Sequence, residues 1–345
     1  MTVYEIDPTK DERWDDLLHS HAQASIFHTR GWLEALHRTY RYTPIAFTTS
    51  PPGSQLTNAI PFCRVPGFLG RQRLVSLPFS DHCVPLVENQ EELTCLLRYF
   101  RERLECHQCS KVQIRATEAV AADGALGTRQ APLVLHTLDL RTGVDEIFHN
   151  FHPSCIRRKI RRAECEGVRC EEGRSEALLG DFYRLLLGTR RTHGLPPQPI
   201  QWFRNLIDCL GYSLTIRVAY LKSRAIAAIL TLRYKQTMVY KYGCSDRQSN
   251  LSGGVQLLLW SAIREASRLG LVEFDMGRTE ADNPGLLAFK DRWGAARQPL
   301  SYLELPSPQR SPFAGRRAGI RSYLCAHAPD AVLVTTGRLL YRYMG

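Results

Sequence analysis

One stretch of the sequence, residues 77–86 (LPFSDHCVPL), places an acid and an imidazole side by side between two prolines. Asp81 and His82 lie there at the predicted end of a strand. Such groups cannot be buried without polar partners, so they could line a cleft and accept a proton from an attacking amine. We therefore predict them as catalytic residues. A polar turn in which Asp81 caps local N–H groups is the open alternative.

A second stretch, residues 240–246 (YKYGCSD), carries hydroxyl groups where a strand enters a loop. Tyr242 and Ser245 flank a glycine that leaves the backbone accessible. N–H groups beside a strand of this kind can bind an acyl carbonyl or the pantetheine chain of a thioester. We predict Tyr242 and Ser245 as substrate-binding, and a hairpin end with a solvated lysine remains the alternative.

Two stretches further along combine a cation with a glycine. In residues 274–279 (FDMGRT) a strand ends in Gly-Arg, so Arg278 would lie at the strand's carboxyl end, where open α/β sheets bind ligands. A guanidinium there can pair with a phosphate or carboxylate. Residues 286–295 (LLAFKDRWGA) predict a short helix with two aromatic residues four positions apart. Phe289 would lie on the apolar face of this helix, and Lys290 beside that face could neutralise a diphosphate, unless it is only a surface charge.

A basic segment precedes the second half of the chain. Residues 155–166 (CIRRKIRRAECE) predict a helix whose apolar positions face inward and whose cations project outward. Closely spaced cations repel one another unless an anion lies nearby. We predict Arg158 and Arg162 as substrate-binding residues on this helix, and a solvated basic face is the alternative.

The elements that would position these residues follow one order twice. Each half predicts three antiparallel strands, a helix and a further strand. The segments in the first half are 43–49, 56–64, 72–78, 90–105 and 111–116, and those in the second are 213–221, 225–234, 237–243, 254–269 and 271–276. The predicted fold class is therefore α/β (α+β), with domains at 1–150 and 151–305. Residues 306–345 form a basic connector and helical tail.

Composition limits the class of partner. The formal net charge is +11, which favours a polyanion such as a nucleotide, a pyrophosphate-linked substrate, tRNA or anionic lipid. No signal peptide or long apolar run is evident, so we expect a cytoplasmic protein. The tail either packs on the body or contacts an anionic membrane surface.

Several enzyme classes are disfavoured because their motifs are missing. The sequence has no GxxxxGK[ST], HExxH or GxSxG pattern. The single CxxC at 106–109 has no second pair of ligands at matching spacing, so we predict no metal site. No helix-turn-helix or zinc-finger pattern accompanies the charge, and DNA is not an expected partner.

Taken in order, these stretches resemble the FemAB-like branch of the GNAT superfamily, and more closely its BioF2-like acetyltransferase domain proteins. The resembling segments are FHTRGWLEAL (27–36), LPFSDHCVPL (77–86), IRRKIRRAECEGV (156–168), YKYGCSD (240–246), FDMGRTEADNPGLLAFKDRWGA (274–295) and PLSYLEL (299–305). The resemblance implies two tandem GNAT-like domains, each a mixed, mainly antiparallel sheet flanked by helices. It also implies transfer of an acyl group to an amine.

The resemblance implies roles and partners as well. By this resemblance, Arg278, Phe289 and Lys290 are expected to contact the substrate. The match at Asp81 is looser. The donor would be an acyl-CoA, an acyl carrier or an aminoacyl-tRNA, with no tightly bound cofactor. The acceptor would be an amine of a small molecule or of a lipid-linked, cell-envelope or polysaccharide precursor. The first half lacks a clear pyrophosphate loop, which leaves acetyl-CoA use open.

Our hypothesis from the sequence is direct attack of a neutral amine on the activated acyl group. Asp81, with His82, would help to remove the proton, and Tyr242 and Ser245 would orient the acyl group. Arg278 and Lys290 would hold an anionic part of a substrate. The alternative from another class is a non-catalytic GNAT-like binding module in envelope or exopolysaccharide biosynthesis.

Overall fold

The protein is described by a computed structural model that covers residues 2–67, 72–117, 128–129, 133–306 and 328–343. The described residues pack into two compact units. One contains those within Met1–Leu133, Pro299–Arg310 and Arg338–Gly345, and the other contains those within Val134–Gln298 and Ser311–Gly337. The domain limits at 150 and 305 stay predictions.

The strands in chain order are β1 (Tyr4–Ile6), β2 (Thr43–Thr48), β3 (Ile60–Pro66), β4 (Gln72–Val75), β5 (Lys111–Thr117), β6 (Thr128–Arg129), β7 (Leu133–Asp139), β8 (Arg169–Gly173), β9 (Leu214–Leu221), β10 (Arg224–Tyr234), β11 (Thr237–Ser245), β12 (Glu273–Glu280) and β13 (Ala296–Leu305). The α-helices are α1 (Arg13–Ser20), α2 (Arg30–Tyr40), α3 (Gln90–Glu105), α4 (Val144–Asn150), α5 (Arg158–Cys165), α6 (Glu176–Thr192), α7 (Ile200–Leu210), α8 (Gly254–Arg268), α9 (Pro284–Asp291) and α10 (Asp330–Leu340).

The first unit is built on a mixed sheet in the order β1-β2-β3-β4-β5-β13. Its neighbours are antiparallel except for β4 and β5, which run parallel. Helix α3 covers one face, because its apolar residues recur at helical spacing. Phe100 of this helix packs edge-on against Phe47 and Phe62 of the sheet.

The second unit repeats this design. Its strands lie in the order β7-β12-β11-β10-β9-β8. The strands from β8 to β11 are antiparallel, and β11 and β12 are parallel. Helix α8 covers the sheet with an almost wholly buried face that includes Leu258 and Ile263. Helices α6 and α7 contribute a second layer of buried aromatic residues, among them Phe182 and Phe203.

The predicted fold is confirmed: each half has three antiparallel strands, a helix and a further strand. The structure adds α1, α4, α7 and the edge strand β8, which the sequence analysis did not predict. The predicted helix at 155–166 is α5 preceded by a π-helical turn at Pro153–Arg157.

The described part of the tail packs on the rest of the chain. The Tyr42 hydroxyl donates to the carbonyl of Tyr341 at 2.5 Å, and Arg191 pairs with Asp330. Residues 307–327 of the predicted connector lie outside the described residues. No helix in the described ranges is long and apolar enough to cross a membrane.

Candidate active site

The parallel strands β11 and β12 part soon after they meet. Their pairing runs from Thr237–Glu273 to Val239–Asp275, although β11 continues to Ser245. Opposite β10, Leu230 pairs with Tyr242 and Thr231 with Tyr240, so Lys241 is the extra residue of a β-bulge. A bulge leaves backbone groups outside the regular ladder. The separating strands therefore offer backbone donors and acceptors to an extended ligand chain.

A cavity of about 260 Å³ lies where β11 ends and α8 begins. Ser245 and Phe289 line it, so the structure brings together two of the predicted substrate-binding residues. The other lining residues are Lys159, Ile226, Ala227, Gly254, Val255 and Gln256. Within the described ranges, the Lys159 ammonium makes no hydrogen bond or ion pair. Among the described residues that line this cavity, it is the one charged side chain.

The start of α8 is shaped by two glycines. Gly253 has φ +72°, and a Cβ on it would lie 2.2 Å from the carbonyl oxygen of Lys159. A side chain on Gly254 would be tightly packed against Ile226 and Ala227. No side chain caps the helix, and its first turn contains no acidic residue. The first N–H groups of α8 therefore remain available to an anion.

Tyr242 lies away from this cavity. Its side chain is buried against the aromatic rings of Phe182 and Phe203, and its hydroxyl accepts a hydrogen bond from Trp202 Nε1 at 3.0 Å. After the bulge, Tyr242 faces α6 and α7, whereas Ser245 faces the start of α8. The structure thus separates two residues that the sequence analysis grouped, and gives Tyr242 a packing role.

Lys290 is buried rather than exposed at a cleft. Only 2% of its surface is accessible, and its ammonium donates to the carbonyls of Gly277 at 2.7 Å and Arg278 at 3.0 Å. The carboxylate of Asp275 accepts from the Gly277 amide at 2.6 Å, and Gly277 has φ +74°. The glycine allows β12 to turn its carbonyls toward Lys290. The Arg278 side chain is exposed on the same strand.

The basic helix has the predicted inward face, since Ile160 and Ala163 are buried. Arg158 is exposed, and Arg162 forms an ion pair with Glu166 at 2.6 Å. Of the cations in this segment, Lys159 is the one that lines the cavity. The sequence analysis named the helix but chose Arg158 and Arg162 as its substrate-binding residues.

His136 was missed by the sequence analysis. It is fully buried on β7, and its Nε2 lies 3.3 Å from Asp291 Oδ1. Burial lowers the pKa of His136, aided by the charge of Lys290, so the ring is neutral at pH 7. The carboxylate of Asp291 can only accept, because its pKa is held low chiefly by hydrogen bonds from Arg297. Nε2 therefore carries the proton, and Nδ1 is a buried acceptor with no partner among the described residues.

Asp81 and His82 lie in the first unit, on a turn held by several contacts. The Tyr302 hydroxyl donates to the Asp81 carbonyl at 2.8 Å. The His82 ring packs edge-on against Phe27, with centroids 5.6 Å apart. Arg115 donates to the carbonyls of Leu77 at 3.0 Å and Ser80 at 2.8 Å. Both predicted catalytic side chains are half-buried on this turn.

His28 fixes the other end of the same turn. It is fully buried, and burial lowers its pKa to about 4. The neutral ring donates from Nε2 to the Val84 carbonyl at 3.0 Å and accepts from the Ser25 amide at 3.0 Å through Nδ1. The turn that carries Asp81 and His82 is thus tied to residues 25–28.

Metal ligands do not cluster in the part of the chain that the structure describes. No group of three or more His, Cys, Asp or Glu side chains there could hold a metal ion. Cys109 is buried and Cys106 is exposed at the end of α3.

Comparison with known proteins supports the tandem design. Residues 154–291 match the model of an acetyltransferase (GNAT) domain. The structure is similar to FemX (16% identity, covering 88% of this chain and 97% of that one, TM-score 0.67). It is also similar to a tandem GNAT protein from the clavulanic acid biosynthesis pathway (12% identity, 90% and 99% covered, TM-score 0.55).

A further similar structure is L-PGS from Bacillus licheniformis, at 12% identity with 93% of this chain and 98% of that one covered and a TM-score of 0.52. At such identities these likenesses concern the fold. No curated protein matches the chain. Residues 154–291 thus match a GNAT acetyltransferase domain, and the fold of the chain is similar to those of FemX and of the tandem GNAT protein.

Proposed function

We propose that the protein is an N-acyltransferase that moves an acyl or aminoacyl group from a phosphate-bearing donor to an amine. The donor is an acyl-CoA, an acyl carrier or an aminoacyl-tRNA, and the acceptor is a small molecule or a cell-envelope or polysaccharide precursor. One observation carries the proposal: the opening between β11 and β12 belongs to the same unit as a cavity in which Lys159 is the one charged side chain among the described lining residues.

The charge of the cavity supports a phosphate-bearing donor. Lys159 and the first N–H groups of α8 both favour a negative ligand. The exposed Arg158 on α5 extends the positive charge along the surface of the helix. The phosphates of CoA, a carrier or a tRNA would occupy this region, and the reactive acyl group would extend along β11.

A difference between the two units supports a donor site in the second. Helix α3 holds the position in the first unit that α8 holds in the second. Asn89 caps α3 by accepting from the Glu92 amide at 3.0 Å, and Glu91 and Glu92 occupy its first turn. The Asn89 side chain accepts from an N–H group of the first turn of α3, and the two carboxylates repel an anion. Helix α8 has neither feature.

The chemical step would be attack of the neutral amine on the acyl carbonyl. A carbon–nitrogen bond forms, the bond from carbon to the thioester sulfur or ribose oxygen breaks, and the leaving group takes a proton. Backbone N–H groups at the Lys241 bulge are suited to bind the carbonyl oxygen as negative charge develops on it. The amine must also lose a proton, and Asp81 with His82 remain the base that the sequence predicts.

A binding experiment tests the donor site. Thermal unfolding would be followed with acetyl-CoA, a longer acyl-CoA and tRNA at two salt concentrations, for the wild type and for Lys159→Ala. A ligand that binds the native state raises the melting temperature. Loss of one charge-assisted contact costs about 1.5–3 kcal/mol, or roughly 10- to 100-fold in Kd. Arg161→Ala, an exposed cation of the same helix, is the matched control.

The outcomes separate the donors. Stabilisation by a CoA ester, weakly dependent on salt, indicates a thioester, whereas stabilisation by tRNA alone, lost at high salt, indicates aminoacyl transfer. Equal effects of Lys159→Ala and Arg161→Ala would contradict the cavity assignment. With the donor known, Asp81→Asn should abolish turnover and keep donor binding. Binding without any turnover in the wild type would instead support the non-catalytic module.

A further inference from the structure

A second cavity, of about 290 Å³, lies at the other end of α8. None of its described lining residues also lines the cavity at Lys159. Glu265 lines it from the last turns of α8, whereas Gly254 borders the first cavity at the helix start. About eleven residues at 1.5 Å each separate these positions by roughly 16 Å along the helix axis. A ligand in the second cavity would therefore be distinct from the acyl donor.

Three residues that line this cavity are held by a buried arginine that is not itself part of the described lining. Arg217 on β9 is fully buried, and its Nη1 donates to the Thr231 hydroxyl at 2.7 Å. Its Nε donates to Glu172 Oε2 at 3.0 Å, and its Nη2 pairs with Glu265 Oε2. Each carboxylate is thus fixed through one oxygen. The second oxygen of each, Oε1, has no partner within the described residues.

Two further guanidinium groups line the same cavity without a carboxylate partner. Arg174 stacks on the ring of Tyr212 at 4.2 Å, and Arg233 projects from the end of β10. Across the described ranges, neither guanidinium forms a hydrogen bond or an ion pair. The cavity therefore presents carboxylate acceptors with free oxygens together with unpaired guanidinium donors.

We propose that this cavity is a binding site for a free α-amino acid in its zwitterionic form. The ammonium group of the ligand binds the free oxygens of Glu172 and Glu265, and its carboxylate binds Arg233. Arg174 and Tyr212 cover the opening.

The composition and size of the cavity favour this ligand over other anions. A phosphate would face the carboxylates of Glu172 and Glu265, whereas a zwitterion satisfies groups of both signs. The volume lies just below the usual range for small-molecule sites, about 300–1,000 Å³, which suits an amino acid better than a nucleotide. Leu214 and Met238 supply apolar lining for the side chain of the ligand.

The test is a thermal-shift and calorimetric titration of the full chain with each of the common amino acids. We expect at least one to raise the melting temperature in a concentration-dependent manner. Its N-acetyl derivative lacks the ammonium, and its amide lacks the carboxylate, so both should be without effect. Arg233→Ala and Glu172→Gln should each raise Kd by tenfold or more, and Arg161→Ala, outside the cavity, should change it less than twofold.

The proposal would be overturned by no response to any amino acid, by a response to either derivative as large as that to the amino acid, or by unchanged binding in Arg233→Ala. A response to inorganic phosphate that Arg233→Ala removes would make this a simple anion site and would also refute it. Lys159→Ala reports on the acyl donor and should leave amino-acid binding unchanged. Failure of one proposal can therefore be distinguished from failure of the other.

Discussion

Replacement of Lys290 by methionine distinguishes a structural from a substrate-binding role for this residue. Lys290 is 2% accessible, and its ammonium donates to the carbonyls of Gly277 and Arg278. Hydrogen bonds to a charged group contribute about 1.5–3 kcal/mol each. Methionine removes both bonds, but it also removes the cost of burying the ammonium. We therefore expect the free energy of unfolding to fall by about 2–4 kcal/mol.

The assay is urea unfolding of the wild type, Lys290→Met and Lys290→Arg, analysed from the midpoint and slope. Lys10→Met, at a lysine 82% exposed beside Asp7, is the control and should change stability by less than about 1 kcal/mol. Lys290→Met with wild-type stability and greatly reduced transfer would refute the structural account. That outcome would support the substrate contact implied by the sequence resemblance.

Three further predictions concern other positions. His28 is protonated below about pH 6.5 in the unfolded chain, but only below about pH 4 in the folded chain, where burial lowers its pKa. The free energy of unfolding should therefore fall by about 3 kcal/mol as the pH is lowered between these values. This fall should be absent in His28→Gln. Gly253→Ala should lower the free energy of unfolding by about 2–5 kcal/mol through steric overlap and left-handed strain. The control Gly270→Ala, where φ is +72° and the space is open, should lower it by about 1 kcal/mol. Equal losses in denaturant unfolding would contradict the contact with Lys159. Tyr242→Phe should lower the free energy of unfolding by about 1 kcal/mol and leave kcat/KM unchanged. Lower activity with unchanged stability would instead show that Tyr242 contacts the substrate.

Much of the fold could be predicted because the pattern is local. Alternating strands, an amphipathic helix and a glycine or proline at each break are visible in the sequence. Strand β8 escaped prediction because its residues 169–173 (RCEEG) are mostly exposed and lack an apolar alternation. The cross-strand contact between Glu172 and the buried Arg217 helps to hold this edge strand, and such a contact is not local in sequence.

The candidate site was predicted less completely, because two features depend on tertiary context. The sequence marks Lys290 as a cation next to a helix end, but its burial follows from the turn at Gly277, which lies 13 residues earlier. His136 gave no signal, since a lone histidine in an apolar strand resembles a core residue. Its neutral state and its proton on Nε2 follow from burial and from Asp291, which is 155 residues away.

The bulge at Lys241 explains why Tyr242 and Ser245 separate. A regular strand alternates its side chains, so residues three apart face opposite sides. Tyr242 and Ser245 could therefore orient one acyl group only if an irregularity lay between them. The bulge exists, but it precedes both residues, so the alternation resumes at Tyr242. Tyr242 and Cys244 then face α6, where the Cys244 thiol lies 3.6 Å from the Phe182 carbonyl. Ser245 faces α8, and Gly243, on the same side, leaves room for the Tyr240 hydroxyl.

If the bulge binds the acyl carbonyl, Tyr240 and Ser245 are the side chains of β11 on the face of the donor, and Tyr240→Phe should lower transfer more than Tyr242→Phe. Equal rates for the two phenylalanine variants would show that the bulge does not select the face on which the donor binds.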